Sequence, residues 1–202
     1  MRVEHLFPEP VYFSNLDRAL TKTELRTIAQ YKEKTSKNQG NLRTRDSYVL
    51  EHKTFKNLKK DLNQKIINYF NKIICCPNST IPYITQSWIS YTKENQFHHR
   101  HVHSNSYISG VFYINADKEV DKINFYRSGY SRFLPAVTQF NIFNSTMAAY
   151  PIQRGDVLLF PSSLQHGVDF KKGTNIRTSL SFNVFFKGTF GSNKELTELI
   201  LE

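Results

Sequence analysis

Cysteine is nearly absent from this chain, and the two it has, Cys75 and Cys76, are neighbours. Adjacent cysteines rarely close a useful loop, which argues against a secreted fold stapled by disulfides and for free or buried thiols in a reducing compartment. Long hydrophobic runs are missing as well. No stretch approaches the roughly 18 apolar residues of a membrane-spanning helix, and the N-terminus shows no apolar segment before its first proline, Pro8. Acidic residues are scarce: 27 lysines and arginines stand against 17 aspartates and glutamates, a net charge of +10. No repeat and no linker divides the chain, so residues 1–202 are expected to form a single domain in the cytoplasm, with no membrane partner.

What is present suffices for a core, since 39% of the 202 residues are hydrophobic. The basic excess attracts nucleic acid, anionic membranes and acidic small molecules. Much of it lies in two stretches that read as amphipathic helices, where lysine is an ordinary solvent-facing residue, so the charge alone selects no partner.

Residues 1–80 read as a helical support. Thr21-Lys22-Thr23-Glu24 fits a capping box, and Leu25, Ile28 and Tyr31 follow at helical spacing. From Thr54 onward Phe55, Leu58, Leu62, Ile66, Phe70 and Ile73 recur every three or four residues, giving a longer amphipathic helix. Beyond Pro77 short apolar and aromatic runs are broken by Gly, Asn, Pro and Ser, the texture of an antiparallel sandwich or barrel. The expected strands are Tyr83 to Tyr91, Tyr107 to Ile114, Lys122 to Tyr126, Gln139 to Phe143, Asp156 to Phe160 and Arg177 to Phe186. They predict two packed sheets with the helices against one of them. A short C-terminal helix over residues 192–202, opened by Ser192 to Glu195 and carrying Leu196, Leu199 and Ile200, is expected to pack back on the body.

Four of the seven histidines fall in His98-His99-Arg100-His101-Val102-His103. On an extended chain residues i and i+2 point to the same side, roughly 6.5 to 7 Å apart, so His101 and His103 can reach one ion, and His99 shares their face. A third ligand from a distant strand suits His166, delivered by Gly155 to Phe160 and a short loop. The plain alternative for His166 is a surface histidine, and His5 and His52 have no partner at ligand spacing. Asn175 to Asn183 alternates, with Arg177, Ser179 and Ser181 on one face and Ile176, Leu180 and Phe182 on the other. An arginine pointing into a sandwich needs a carboxylate, and a substrate carboxylate held by its guanidinium fork, with a Ser179 hydroxyl added, meets that need. The alternative is the solvent face of an edge strand.

Taken in order, Trp88, His101-Val102-His103, Ser109 to Tyr113, Gly155 to Ser162 with His166, and Arg177 through Ser179 to Asn183 resemble the 2-oxoglutarate/iron(II) oxygenases. The likeness is to a branch of small proteins of marine phages and bacteria that is similar to the prolyl 4-hydroxylases, and it runs from about Pro82 to Gly191. Such a resemblance implies a mainly β (α+β) fold, a double-stranded β-helix or jelly roll over residues 81–191. It implies His101, His103 and His166 as metal ligands, Arg177 and Ser179 on the distal carboxylate of 2-oxoglutarate, and Tyr91, ten residues before His101, helping to hold that carboxylate. A buried core aromatic is the other role open to Tyr91. The implied cofactors are Fe(II), 2-oxoglutarate as cosubstrate and O2, with succinate and CO2 released as a substrate is hydroxylated.

One position departs from the wider family, which carries His-x-Asp or His-x-Glu where this chain has His101-Val102-His103. The branch it resembles also carries histidine there. A three-imidazole site leaves iron(II) without an anionic protein ligand, a charge that bound 2-oxoglutarate offsets. The aromatic-rich segments Lys93 to Arg100 and Asn124 to Tyr150, with Tyr126, Tyr130, Phe133 and Phe140, are expected to form mouth and lid. A peptidyl, prolyl-like substrate or a small molecule is favoured. The rival readings are a three-histidine zinc hydrolase or hydratase, a non-catalytic cupin-like metal or sugar binder, and an oxygenase acting on nucleic acid, to which the basic charge points. If the chain is phage-encoded, the expected setting is the host cell cytoplasm.

Overall fold

Alternating apolar and polar residues make most of this chain extended, and antiparallel pairing gathers the strands into two sheets. The computed structural model describes residues 2–129 and 136–202. In chain order its elements are β1 (Tyr12–Asn15), α1 (Lys22–Lys32), β2 (Thr35–Lys37), β3 (Leu42–Thr44), α2 (Lys56–Tyr69), β4 (Ile81–Thr92), β5 (His98–His101), β6 (Ile108–Asn115), β7 (Lys122–Tyr126), β8 (Met147–Pro151), β9 (Asp156–Pro161), β10 (His166–Val168), β11 (Arg177–Phe190) and β12 (Leu199–Leu201). The large sheet runs β1-β9-β6-β11-β4-β3-β2, with β12 paired to the far end of β11, and the small sheet runs β5-β10-β7-β8. The fold is a mainly β double-stranded β-helix, a jelly roll.

Two apolar cores follow from the two faces of the large sheet. On the outer face Leu58, Leu62, Ile66 and Tyr69 of α2 pack with Ile89, Phe112, Leu180 and Phe182 of the sheet. Each such side chain, fully buried, stabilises by about 1.5–3 kcal/mol. Between the sheets a smaller core joins Val111, Tyr113, Leu158 and Phe160 to Ile123 and Phe125 of β7. The alternation of β11 divides its residues as expected, with Leu180 and Phe182 toward the helices and Arg177, Ser179 and Ser181 toward the space between the sheets. The α1 capping box is formed: the Glu24 N–H donates to Thr21 Oγ1 at 3.2 Å and the Thr21 N–H to the Glu24 carboxylate at 2.7 Å. Arg18 clamps that carboxylate from the other side and reaches Asp61 on α2 at 2.7 Å, tying the two helices together.

Four expectations need correction. The N-terminal segment is not only helical, because β1, β2 and β3 join the large sheet. No C-terminal helix forms: a single turn of tight helix at Asn193–Glu195 is followed by β12, which pairs antiparallel with Gly188 to Phe190. A segment this short gains little from helix formation, whereas the protruding end of β11 offers it unpaired backbone groups. Gln139 to Phe143 is turn and loop, and the strand of that region is β8, whose residues are all exposed. As an exposed edge it carries no buried alternation to read. Cys75 and Cys76 are free thiols, but Cys75 lies exposed, closing the α2 segment in a left-handed conformation with φ 57°. No helix among the described residues is long and apolar enough to cross a membrane.

Candidate metal and anion site

The small sheet positions the histidines. His101 ends β5 and His166 opens β10 as direct partners across the ladder, while Phe125 of β7 flanks His166 on the other side. His103 lies two residues past β5, its N–H donating to the Ser162 carbonyl at 3.0 Å, and its ring stacks on Trp88 with centroids 5.6 Å apart. Every Nδ1 meets an oxygen that can only accept: His101 the His99 carbonyl at 2.7 Å, His166 the Leu164 carbonyl at 3.0 Å, and His103 Asn183 Oδ1 at 2.6 Å. Each Nδ1 therefore holds the proton and each Nε2 presents a lone pair. Yet the Nε2 atoms of His101 and His103 stand only 3.1 Å apart, and one ligating atom from each of the three rings fits within 4.8 Å. Lone pairs so close repel unless a cation sits among them, and carbonyl or amide oxygens behind metal-bound imidazoles are the usual supporting shell. The donor set fits a divalent metal with open positions.

Protonation does not remove the need. Burial, with the neighbouring histidines adding to it, holds His166 down at about 3 and His101 at about 4, and burial also lowers His103. At neutral pH all three rings are free bases.

Arg177 shares the cavity with them. The space between the sheets amounts to about 420 Å³ and is lined by Trp88, the three histidines, Ser179 and Arg177, with no acidic residue among its walls. Arg177 is only 4% exposed, and its nearest polar contact is the Tyr113 hydroxyl at 3.4 Å. Its guanidinium carbon lies 5.3 Å from the Tyr113 ring centre, and Nε has no partner. A buried cation without a counter-charge is strongly unfavourable, so the cavity is built to receive an anion at this end.

Comparison with known proteins fits this arrangement. Residues 86–183, the segment spanning every one of these side chains, match the model of the family described as "Putative 2OG-Fe(II) oxygenase". The chain belongs to the 2OG-Fe(II) oxygenase family. Similar solved structures include a 2OG-Fe(II) oxygenase family oxidoreductase from Burkholderia pseudomallei, at 15% identity and TM-score 0.60, covering 86% of this chain and 83% of that one. HygX from Streptomyces hygroscopicus, solved with nickel, 2-oxoglutarate and hygromycin B, is 12% identical at TM-score 0.57, with coverage of 87% and 82%. A prolyl hydroxylase from Trichoplax adhaerens in complex with a peptide of hypoxia inducible factor is 11% identical at TM-score 0.59, with coverage of 87% and 83%. At these identities the likeness is one of fold. No curated protein matches the sequence.

Within this oxygenase fold the expected site residues sort unevenly. His101, His103, His166, Arg177 and Ser179 come together around one cavity, but Tyr91 does not. It points to the helix side of β4, buried in the outer core, and its hydroxyl donates to the Ile28 carbonyl at 3.2 Å. The reason is register: Tyr91 pairs with Thr178, whereas the residues facing the cavity pair with Arg177, Ser179 and Ser181. Tyr113, in step with Val111 on the inner face of β6, is the tyrosine that meets Arg177, and its alternation with Phe112 and Ile114 was the available signal. Burial raises its hydroxyl pKa, which the adjacent guanidinium partly offsets. Of the expected mouth, Tyr126 carries the Arg100 guanidinium 4.4 Å above its ring and Phe140 is exposed, while Tyr130 and Phe133 lie outside the described residues.

His98, expected to be a bystander, lines the cavity. The β5–β10 ladder runs from His101 opposite His166 to His98 opposite Val168, three residues against two, which is a β-bulge. The extra residue reverses the alternation, so His98 rather than His99 lines the cavity beside His101, with ring centroids 4.6 Å apart. Gly167 makes room, since a Cβ there would stand 3.0 Å from the His98 carbonyl oxygen.

Proposed function

We propose that this protein is a 2-oxoglutarate- and Fe(II)-dependent dioxygenase, with His101, His103 and His166 as metal ligands and Arg177, Ser179 and Tyr113 as the seat of the cosubstrate's distal carboxylate. The observation that carries the reading is the unpaired, buried Arg177 in one cavity with three converging Nε2 lone pairs. Metal alone would leave the arginine without use, and an anion alone would leave the lone pairs facing one another. A dicarboxylate whose one end chelates the metal and whose other end meets the guanidinium answers both needs.

Bound iron with 2-oxoglutarate and O2 supplies oxidising chemistry through decarboxylation to succinate and CO2. The chain's own residues do the rest. Carbonyls of His99 and Leu164 and the Asn183 amide fix the three ring tautomers, Trp88 holds the plane of His103, and Arg177 orients the cosubstrate along the cavity. Phe160 and Phe125 wall His166 from solvent. The substrate favoured is a peptidyl, prolyl-like group or a small molecule, since the relatives include a prolyl hydroxylase held with a peptide and HygX held with hygromycin B. The three-imidazole set also suits a zinc hydrolase, a reading in which Arg177 has no role.

The test is anaerobic titration of 2-oxoglutarate into Fe(II)-loaded protein, monitored through the visible charge-transfer band of chelation. A saturable band, absent from His166→Ala, supports the dioxygenase. No band, together with tight zinc binding, overturns it in favour of the hydrolase.

A further inference from the structure

The bulge in β5 sends His98 into the cavity, and a chain of side-chain amides fixes which of its nitrogens carries the proton. Asn41 donates to Thr92 Oγ1 at 3.2 Å, and Thr92 is the ladder partner of Arg177. That orientation turns Asn41 Oδ1 toward Asn38, whose Nδ2 donates to it at 3.0 Å. The same Asn38 Nδ2 lies 3.3 Å from His98 Nε2. An amide N–H facing a ring nitrogen requires a lone pair there, so His98 accepts at Nε2, is neutral, and carries its proton on Nδ1. Among the described residues Nδ1 has no hydrogen-bond partner.

All of these amides sit on the hairpin of β2 and β3. It is docked against the cavity mouth by Gly40, where a Cβ would meet the Phe97 carbonyl oxygen at 2.5 Å. The hairpin thus ties Arg177's strand neighbour to His98 and holds one ring in one tautomer. A side chain kept only for packing needs no such arrangement.

We propose that His98 is a cosubstrate-binding residue whose Nδ1–H donates to an oxygen of 2-oxoglutarate, with Asn38 and Asn41 as the positioning residues that fix its tautomer. The inference rests on the dioxygenase reading above. His98 packs on the ring of His101 and lines the same cavity as Arg177, so a dicarboxylate spanning metal and guanidinium passes its edge. A neutral donor suits this place, because it adds a hydrogen bond to an anion without a further positive charge beside Arg177 and the metal.

The experiment measures the dissociation constant of 2-oxoglutarate from the anaerobic charge-transfer titration, with iron content determined on the same samples. His98→Phe keeps a flat ring without the N–H. Its dissociation constant is expected to rise about tenfold or more, the loss carried by a hydrogen bond to a charged group, with iron retained. His98→Asn, which restores a donor near the Nδ1 position, should recover part of that loss. Asn38→Ala, outside the cavity, should weaken binding severalfold by freeing the tautomer, and it carries the test if His98→Phe fails to fold. Wild-type affinity in either His98→Phe or Asn38→Ala overturns the inference, as does loss of iron from His98→Phe, which would make His98 a metal ligand. Absence of the band in the wild-type protein would instead sink the dioxygenase reading itself.

Discussion

Arg177 and His103 are the two side chains at which this site departs most from what folding alone would choose. Arg177 is buried without a counter-charge, so the metal-free, ligand-free protein bears a desolvated cation. Arg177→Met keeps the volume and removes the charge. It is expected to leave stability unchanged or raise it by about 1 kcal/mol, while abolishing the stabilisation that excess 2-oxoglutarate gives the metal-loaded wild type, about 2.7 kcal/mol at a hundredfold excess over the dissociation constant. Thermal melts with and without the cosubstrate check both halves; a variant that melts lower yet still responds to 2-oxoglutarate removes Arg177 from the site. At His103, Asp would supply the missing anionic ligand, and Asn183 can turn its amide to donate to it in place of the bond now 2.6 Å long. His103→Asp should bind Fe(II) about tenfold more tightly or better in competition with a chelator, a change of about 1.4 kcal/mol. Loss of iron would show that the surrounding shell is shaped for three imidazoles.

At the scale of elements, β6 and β11 depend on a glycine. Gly110 pairs with Phe182 across the ladder, and the Phe182 ring lies over it so closely that a Cβ would meet ring carbons at 2.1 to 2.7 Å. Phe182 is fully buried under α2 and has nowhere to go, so Gly110→Ala should cost about 1–3 kcal/mol as overpacking. A lowered urea midpoint at unchanged slope would bear this out, and an unchanged midpoint would mean that the ring moves freely. The same strands show what the sequence discloses. β7 and the face of β11 were legible because their alternation is written in burial, and α1 because its capping box is local. β1, β8 and β12 were not, since they are edge strands defined by partners far along the chain. The His101, His103 and His166 cluster was readable from spacing and from the resemblance. His98 and Tyr91 were misjudged because a bulge reverses parity in β5, and because the face of β4 is set by its register with β11 rather than by anything local.

For the whole molecule, the buried histidines make stability depend on pH in a definite direction. His98, His101 and His166 are held at about 2, 4 and 3, largely by burial, against an ordinary value of 6.5 in the unfolded chain. Between those limits the unfolded state binds protons that the folded state refuses, so stability rises with pH through the window and is lost as pH falls below about 6.5. Above it these groups contribute no slope. His166 alone should supply up to about 1.4 kcal/mol per pH unit in the lower part of the window. Glu24, which burial pushes up but Arg18 and the Thr21 cap bring below its ordinary 4.5, adds stability of its own that is lost at more acid pH, as it protonates. Urea unfolding of the metal-free protein from pH 8 to 5 should be flat at the alkaline end and fall steadily toward pH 5, with a shallower fall in His166→Gln. A divalent metal binds the same free-base nitrogens, so it should raise stability most at neutral pH and progressively less toward pH 5, as unfolding in its presence takes up protons while releasing metal. A metal-free profile that stays flat to pH 5 would mean that the three rings are hydrated and protonate in the folded protein, and the case for a dry site awaiting a metal would go with it.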